Sequence, residues 1–378
     1  MNKDIKVSSV ILAAGLSSRM GELKALLNIG GKEAIIHLID ENIKAGIQDI
    51  VVVLGYKNEE IKKHIEKFNV KCVINENYSM GMYSSVQVGV KAISKDSRAF
   101  MIMPVDIPLI KSNTIMELCE FFEGNNYDII SPFFINTPGH PPVISVRCIE
   151  SILKNEPSGG LNDIICSKER TRYRFNSIDE GILYEMDTKE QYYKLLNYYE
   201  TSYTPNELEC SEILNRCEVS EHIINHMKMV SKAALRIGNA LNFSGGNLDL
   251  KLIYSAAMLH DIKRCEKNHP LRAKEFLNNI GYESLSDIVG EHMDIEVTKN
   301  NFLCEKEVLY LADKYVKSHA FVPLNIRFED ALKNCDSRII KNVKLRYKNA
   351  LKIEEKVEFI TGKNPYEIIL DEKWDNCG

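Results

Sequence analysis

Short apolar runs alternate with longer amphipathic stretches through the first half of the chain, and the alternation stops near residue 200. Val10 to Leu12, residues 50–54 (Ile-Val-Val-Val-Leu), 70–74 and 99–105 are strand-length and rich in Val and Ile. Between them, stretches near 33–45, 58–67 and 84–94 carry apolar residues at helical spacing. That rhythm predicts an α/β domain with a mostly parallel sheet covered on both faces. Ligands in such folds sit at the carboxyl ends of the strands. A further short strand is expected at 182–186, ahead of a helix.

Residues 198–207 are polar and carry Pro205, which reads as a linker. The expected division is 1–200, a linker at 201–207, and an all-helical domain at 208–378. Strand signals vanish after the linker, and helices are predicted at about 208–216, 220–241, 248–264, 270–279, 284–292, 303–317 and 327–361, the last one broken. Residues 341–358 are rich in Lys and Glu at helical spacing and read as an exposed helix. Trp374 has no evident role from sequence.

Hydrophobic residues make up 44% of the chain and charged residues 27%, values of a globular protein. A net charge of −5 supplies no domain-wide basic excess, which argues against a nucleic-acid binder. The basic cluster Lys168, Arg170, Arg172 and Arg174 reads as the solvated face of an edge strand. Ten cysteines without a C-x-x-C pair are expected as reduced thiols of a cytoplasmic protein. No signal peptide and no apolar run of membrane-spanning length is read, so no membrane partner is expected.

The chemistry begins where the first apolar run breaks into small residues. Ala13, Ala14 and Gly15 allow a backbone cradle for phosphate oxygens. Ser17 follows, and Arg19 and Lys24 then provide a cationic fork and a point charge. Asp106, in Pro-Val-Asp-Ile-Pro, stands at a strand's carboxyl tip, where a carboxylate can hold Mg²⁺ against a triphosphate. Asp187, in Glu-Met-Asp-Thr, reads either as a helix cap or as a second metal ligand.

The run L-A-A-G-x-S-x-R-M-G-x-x-K resembles the signature loop of nucleotidyltransferases that process molybdenum cofactor, especially the cytidylyltransferase branch. The resemblance covers about residues 7–195. It implies a Rossmann-like fold and Mg²⁺-dependent transfer of a nucleotide to a phosphorylated pterin, with pyrophosphate released. Asp106 would be the D-x-P metal site and Asp187 its partner. Gly81 to Gly89, with Ser85, resembles the segment that reads the base. Gly139-His140-Pro141 resembles the element facing the acceptor. Ala14 in place of a glycine, and Leu23 in place of an acid before Lys24, favour CTP over GTP. A molybdenum-containing hydroxylase would be the eventual partner.

In the helical half, His226, the adjacent pair His260-Asp261, and Asp313 fall in the order H…HD…D, each within a helical frame. Imidazoles and carboxylates on separate helices of a bundle can converge on one divalent cation. The order resembles the HD superfamily of metal-dependent phosphohydrolases over about residues 208–335, which implies Fe, Mn or Zn. His269 and His292 match second-metal positions of binuclear members. Lys263 and Lys314 read more readily as solvated than as phosphate ligands, and Arg327 sits in a frame that follows the last aspartate in such domains. The chain is therefore expected to be a nucleotidyltransferase fused to an HD phosphohydrolase. A GTP-using or other small-phosphate nucleotidyltransferase, and a scaffold that delivers cofactor to molybdenum hydroxylases, are the competing expectations.

Overall fold

In the computed structural model, residues 5–16, 20–154, 159–297 and 302–375 are described. The chain forms two compact units, Met1–Glu200 and Thr201–Gly378. Ser17 and Arg19 lie outside the described residues.

The first unit is built on one sheet. From edge to edge the strands are Arg172–Ser177, Ile129–Phe134, Val143–Ser145, Ala99–Pro104, Val7–Ala13, Ile50–Leu54 and Lys71–Ile74, with Thr137–Pro138 folded back onto Ile129–Phe134. Neighbours run parallel except around Val143–Ser145, which is antiparallel to both strands beside it. Val7–Ala13 lies at the centre and is buried along its whole length. Its side chains alternate between two cores: Ile11 and Ala13 join the one containing Ile35, Leu38 and Leu118, and Val10 and Leu12 the one containing Val86 and Val90. Helices Ala34–Lys44 and Ser112–Glu123 thus cover one face and Met82–Ala92 the other. Arg172 and Arg174 are exposed on the edge strand.

The strand expected at 182–186 does not form. Residues Glu180–Leu183 make a 3-10 turn instead. The buried Asp179 carboxylate accepts from the amides of Gly181 and Lys111 and from Thr114 Oγ1, a local network that competes with ladder pairing. Gly181 presses on the Leu109 carbonyl so closely that an added Cβ would lie 2.2 Å from the oxygen.

The second unit is helical apart from a two-residue-per-strand hairpin, Val316–Lys317 with Ala320–Phe321, inside a stretch expected to be helix or loop. Its longest helix, Glu221–Phe243, packs against Leu250–Leu259 and Glu305–Lys314. The helix expected over 248–264 ends at Leu259, because His260 Nδ1 donates 2.8 Å to the Ala257 carbonyl that the next helical amide would use. The expected 327–361 helix is two, Leu324–Asn334 and Ile340–Thr361. The latter is not simply exposed: Val343, Ala350, Ile353 and Val357 form a buried stripe packed within the unit. Trp374 is buried, its carbonyl accepts from Asn239 Nδ2, and Asp375 takes two 2.6 Å hydrogen bonds from Arg236. No helix of the described residues is long and apolar enough to cross a membrane.

Gly89 marks the tightest helix–sheet approach in the first unit, since a Cβ there would meet Val10 Cγ1 at 2.3 Å and Val53 Cγ2 at 2.9 Å. Overpacking of this kind costs about 1–3 kcal/mol. Gly89→Ala should lower the chemical denaturation midpoint accordingly; an unchanged midpoint would mean that Met82–Ala92 can ride up off the sheet without penalty.

Candidate functional site

A cleft of about 340 Å³ opens at the carboxyl ends of the central strands of the first unit. Ala13, Ala14 and Gly15 form one wall, where the strand Val7–Ala13 gives way to the loop. Gly55 lets this wall close up, since a Cβ there would lie 2.8 Å from both the Ala14 methyl and its carbonyl oxygen. Ser85 lines the far wall and is held by Asn75, whose Nδ2 donates to Ser84 Oγ at 2.8 Å and to Ser85 Oγ at 2.9 Å. Gly81, with φ of 100°, begins the helix that carries both serines.

Lys24, Asp106 and Asp187 come together at this cleft. Lys24 Nζ lies 3.1 Å from Asp106 Oδ2 and also donates to Asp187 Oδ1. Burial disfavours the ammonium, but the hydrogen bonds and charges of the two carboxylates outweigh it and raise its pKa. The Met186 amide donates 3.0 Å to the Asp106 carbonyl and so ties the two acidic segments. Helix capping falls to the next residue: Thr188 Oγ1 accepts from the Gln191 amide, and Gln191 Oε1 from the Thr188 amide. Glu185 adds a third carboxylate whose pKa is raised by burial and by the charges of Asp106 and Asp187. His140 follows Gly139, and its backbone amide bonds the Ile182 carbonyl. Burial pushes the pKa of its ring down, against the opposing charge of Asp106.

The second unit gathers four histidines and two aspartates from across its helices. Asp261 is fully buried and stands between two histidine pairs. Its Oδ2 lies 3.8 Å from His226 Nε2 and 3.4 Å from His260 Nε2; its Oδ1 lies 3.3 Å from His269 Nε2 and 3.5 Å from His292 Nε2. Asp313 Oδ1 joins the first side, 3.2 Å from His226 Nε2 and 3.8 Å from His260 Nε2. Three of the rings are oriented by backbone carbonyls facing Nδ1: Ser318 for His226 at 3.3 Å, Ala257 for His260 at 2.8 Å and Val289 for His292 at 2.7 Å. A carbonyl can only accept, so each Nδ1 carries a proton, and each Nε2 is the atom that could offer a lone pair inward to a cation. His260 Nε2 and Asp261 Oδ1 are buried without a well-formed hydrogen bond. That donor set suits divalent cations on both sides of Asp261, with Asp261 shared between them.

Charge balance supports the arrangement. Burial alone would raise the Asp261 pKa; the imidazoles close around it, His260 first and then His269 and His292, hold it well below the usual carboxylate range. Asp313 is held low in the same way against burial, chiefly by Lys314 and then His226. Lys314 is therefore not on a solvated face: it is buried, with Nζ 2.6 Å from Asp313 Oδ2 and 3.2 Å from the His292 carbonyl. Lys263 does lie toward the surface, paired with Glu266 and over the Phe276 ring. Arg264, which sequence reasoning passed over, donates to Asp261 Oδ2.

The family comparisons match each half separately. A MobA-like NTP transferase domain spans residues 9–171, and an HD domain spans residues 223–317. This chain joins a MobA-like NTP transferase domain to an HD domain. The transferase half is 25% identical over 190 residues to the molybdenum cofactor cytidylyltransferase of Escherichia coli (strain K12), covering 49% of this chain and 93% of that protein. It is 30% identical over 182 residues to the bifunctional protein GlmU of Clostridium botulinum (strain 657 / Type Ba4), covering 46% of this chain. The match spans only 37% of that relative's length. Among solved structures it is similar to a nucleotidyl transferase from Methanothermobacter thermautotroptrophicus, with TM-score 0.46 and 18% identity, covering 52% of this chain and 98% of that one.

Asn75 and Gly55 escaped sequence reading in the transferase domain, yet each follows an apolar run at once, the same signal that marked Asp106. In the HD domain, Asp261→Ala should lose metal from both halves of the cluster, whereas His292→Ala should lose it from one half only. Elemental analysis of anaerobically purified protein measures this, and a full metal load in Asp261→Ala would remove Asp261 from its bridging place.

Proposed function

We propose that the transferase domain moves a nucleotide, CMP from CTP, onto the phosphate of a pterin of the molybdopterin type, and that the HD domain is a metal-dependent phosphohydrolase. The observation that carries the first half is the meeting of Lys24, Asp106 and Asp187 at the strand ends, beneath the Ala13-Ala14-Gly15 wall. Two carboxylates with one lysine between them suit a site that must bring Mg²⁺ and triphosphate oxygens together.

In the reaction, an oxygen of the acceptor phosphate attacks the α-phosphorus of the triphosphate. A new P–O bond forms as the bond to the bridging oxygen of the β-phosphate breaks, and pyrophosphate leaves with the electron pair. Positioning and charge neutralisation dominate such chemistry. Asp106 and Asp187 would hold Mg²⁺, which supplies charge neutralisation of the triphosphate when bound. Lys24 would exchange its carboxylate partners for phosphate oxygens, and its raised pKa keeps it charged for that exchange. Arg19 and Ser17 are assigned to the phosphates on the loop pattern alone. Ser85, fixed by Asn75, and Ala14, packed against Gly55, border the space for the base. His140 is assigned to the acceptor side.

Two observations favour CTP. Ala14 lines the cleft and its methyl packs against Gly55, a place where a glycine would leave more room, and the cytidylyltransferase relative is matched over 93% of its length. A molybdenum-containing hydroxylase would be the recipient of the product. In the HD domain, His226, His260, Asp261 and Asp313 would hold one divalent transition cation (Fe, Mn or Zn), and Asp261, His269 and His292 a second. Such cations supply activation of water for attack on a phosphate group. The tautomers fixed by Ala257, Val289 and Ser318, and the buried Lys314 beside Asp313, keep the donors aimed. Retention of all these ligands weighs against a scaffold that merely delivers cofactor.

Pyrophosphate release from CTP, with molybdopterin as acceptor and Mg²⁺ present, should fall by roughly 10²–10³ in Asp106→Asn, with circular dichroism unchanged. Undiminished turnover would overturn the assignment of Asp106. Calorimetry should show CTP binding more tightly than GTP, and Ala14→Gly should narrow that gap; a wild-type preference for GTP would sink the argument from Ala14.

A further inference from the structure

Beside the HD cluster lies a cavity of about 240 Å³, bordered by His222, His226, Arg264, Lys317, Ser318 and Arg327. It shares His226 with the metal cluster, and Arg264 on its border contacts Asp261. Three cations border it, and no carboxylate does among the described residues that line it. Arg264 contacts Asp261 and Lys317 pairs with Asp330, whereas the Arg327 Nε is buried with no hydrogen-bond partner.

The local fold builds this cavity. Ser318, at the hairpin turn, has a φ of +56°, a conformation that a residue with a side chain rarely adopts. That turn aims the Ser318 carbonyl at His226 and sets Lys317 beside the cavity. The next residue, His319, packs edge-on against His222 at 4.8 Å. Backbone strain held in place by packing is characteristic of functional positions.

The two clefts differ in chemistry. The transferase cleft has mostly apolar walls, including Leu12, Leu23, Ile61 and Met82. Among the described residues that line the HD cavity, Ile223 is the one apolar side chain and none is Phe, Tyr or Trp. Its volume falls below the roughly 300–1,000 Å³ of pockets that enclose a drug-sized ligand.

We propose that this cavity is a subsite for a compact phosphate or diphosphate anion, and that its ligand is inorganic pyrophosphate, the product the transferase domain releases. The proposal rests on the transferase and hydrolase readings above. In the step it serves, the oxygen of water bonds to one phosphorus, the P–O–P bridge breaks, and the second phosphate leaves with the bridging oxygen. Two orthophosphates result, the protons of water passing to phosphate oxygens or solvent. Arg327, Lys317 and Arg264 balance the charge of the anion.

The test is calorimetric titration of inorganic pyrophosphate into the full-length, metal-replete protein, with orthophosphate release followed in parallel. Lys24→Ala removes the competing site in the transferase cleft and should keep pyrophosphate binding. Arg327→Gln should weaken binding in the Lys24→Ala background about tenfold or more, and Arg327→Gln alone should leave metal content and CTP binding unchanged. Should Arg327→Gln disturb metal content, Lys317→Gln, at another residue that borders the cavity, is expected to give the same weakening. Binding that vanishes in Lys24→Ala alone, or that ignores both cavity variants, overturns the proposal. CMP binding as tightly as pyrophosphate in Lys24→Ala overturns the compact ligand. A wild-type protein that turns over no nucleotide but keeps the Arg327-dependent site supports the subsite and overturns the transferase reading alone.

Discussion

A carboxylate with no exposure to water must be matched by positive charge or by metal, and Asp261 is such a group. Much of the HD domain's irregularity follows from meeting that demand. Helix Leu250–Leu259 stops so that His260 can turn its Nε2 toward Asp261, its Nδ1 taking a carbonyl of the helix end. Helix Glu283–Gly290 stops before His292, whose Nδ1 takes the Val289 carbonyl. Asn268, in the left-handed region that Asn tolerates, starts helix His269–Asn279 with His269 facing the same carboxylate. The hairpin turn at Ser318 completes the set by orienting His226. Four departures from regular structure therefore share one electrostatic cause.

The transferase domain solves the converse problem. Its acids are partly exposed, and one lysine is held between them. A cleft lined with carboxylates would repel a triphosphate unless cations intervene, so on the proposed reading the charge that ties Lys24 to its acids would also serve the ligand. The geometry is long-range in sequence: residues 24, 106 and 187 come from three separate segments. The sheet fixes the first two, through the parallel pairing of Val7–Ala13 with Ala99–Pro104. The Met186-to-Asp106 backbone bond then fixes the third.

Period-two and helical spacing revealed the strands and helices whose faces are buried, because burial is what those periods encode. The order of His226, His260, Asp261 and Asp313 named residues that the folded helices bring together. Features decided by side chain–backbone competition were not legible. The strand expected at 182–186 gave way to the turns organised by Asp179, and the helix expected to run to 264 was cut by an imidazole taking a carbonyl. Lys314 read as solvated because its partner, Asp313, is its own neighbour and both are buried by tertiary packing. The stripe on Ile340–Thr361 was hidden by the Lys and Glu that fill its other faces. Asn75 acts through two serines ten residues downstream or less, a contact that only the strand-to-helix return creates.

Joining the two chemistries in one chain has a thermodynamic consequence. Nucleotidyl transfer exchanges one phosphoanhydride for another, so its equilibrium lies close to balance and accumulating pyrophosphate drives it backward. Hydrolysis of that pyrophosphate removes a product without touching the nucleotide adduct. A hydrolase serving this purpose must accept a compact polyanion and decline nucleotides, or it would consume the substrate and the product as well. On the proposed reading, the cationic HD cavity, small and with no Phe, Tyr or Trp among its described lining residues, meets the first demand by charge and the second by size. The transferase cleft adds apolar walls to the charge of Lys24, which suits a ligand that carries a base as well as phosphates. Selectivity of that kind would follow from the walls and size of each site and would need no contact between the two domains.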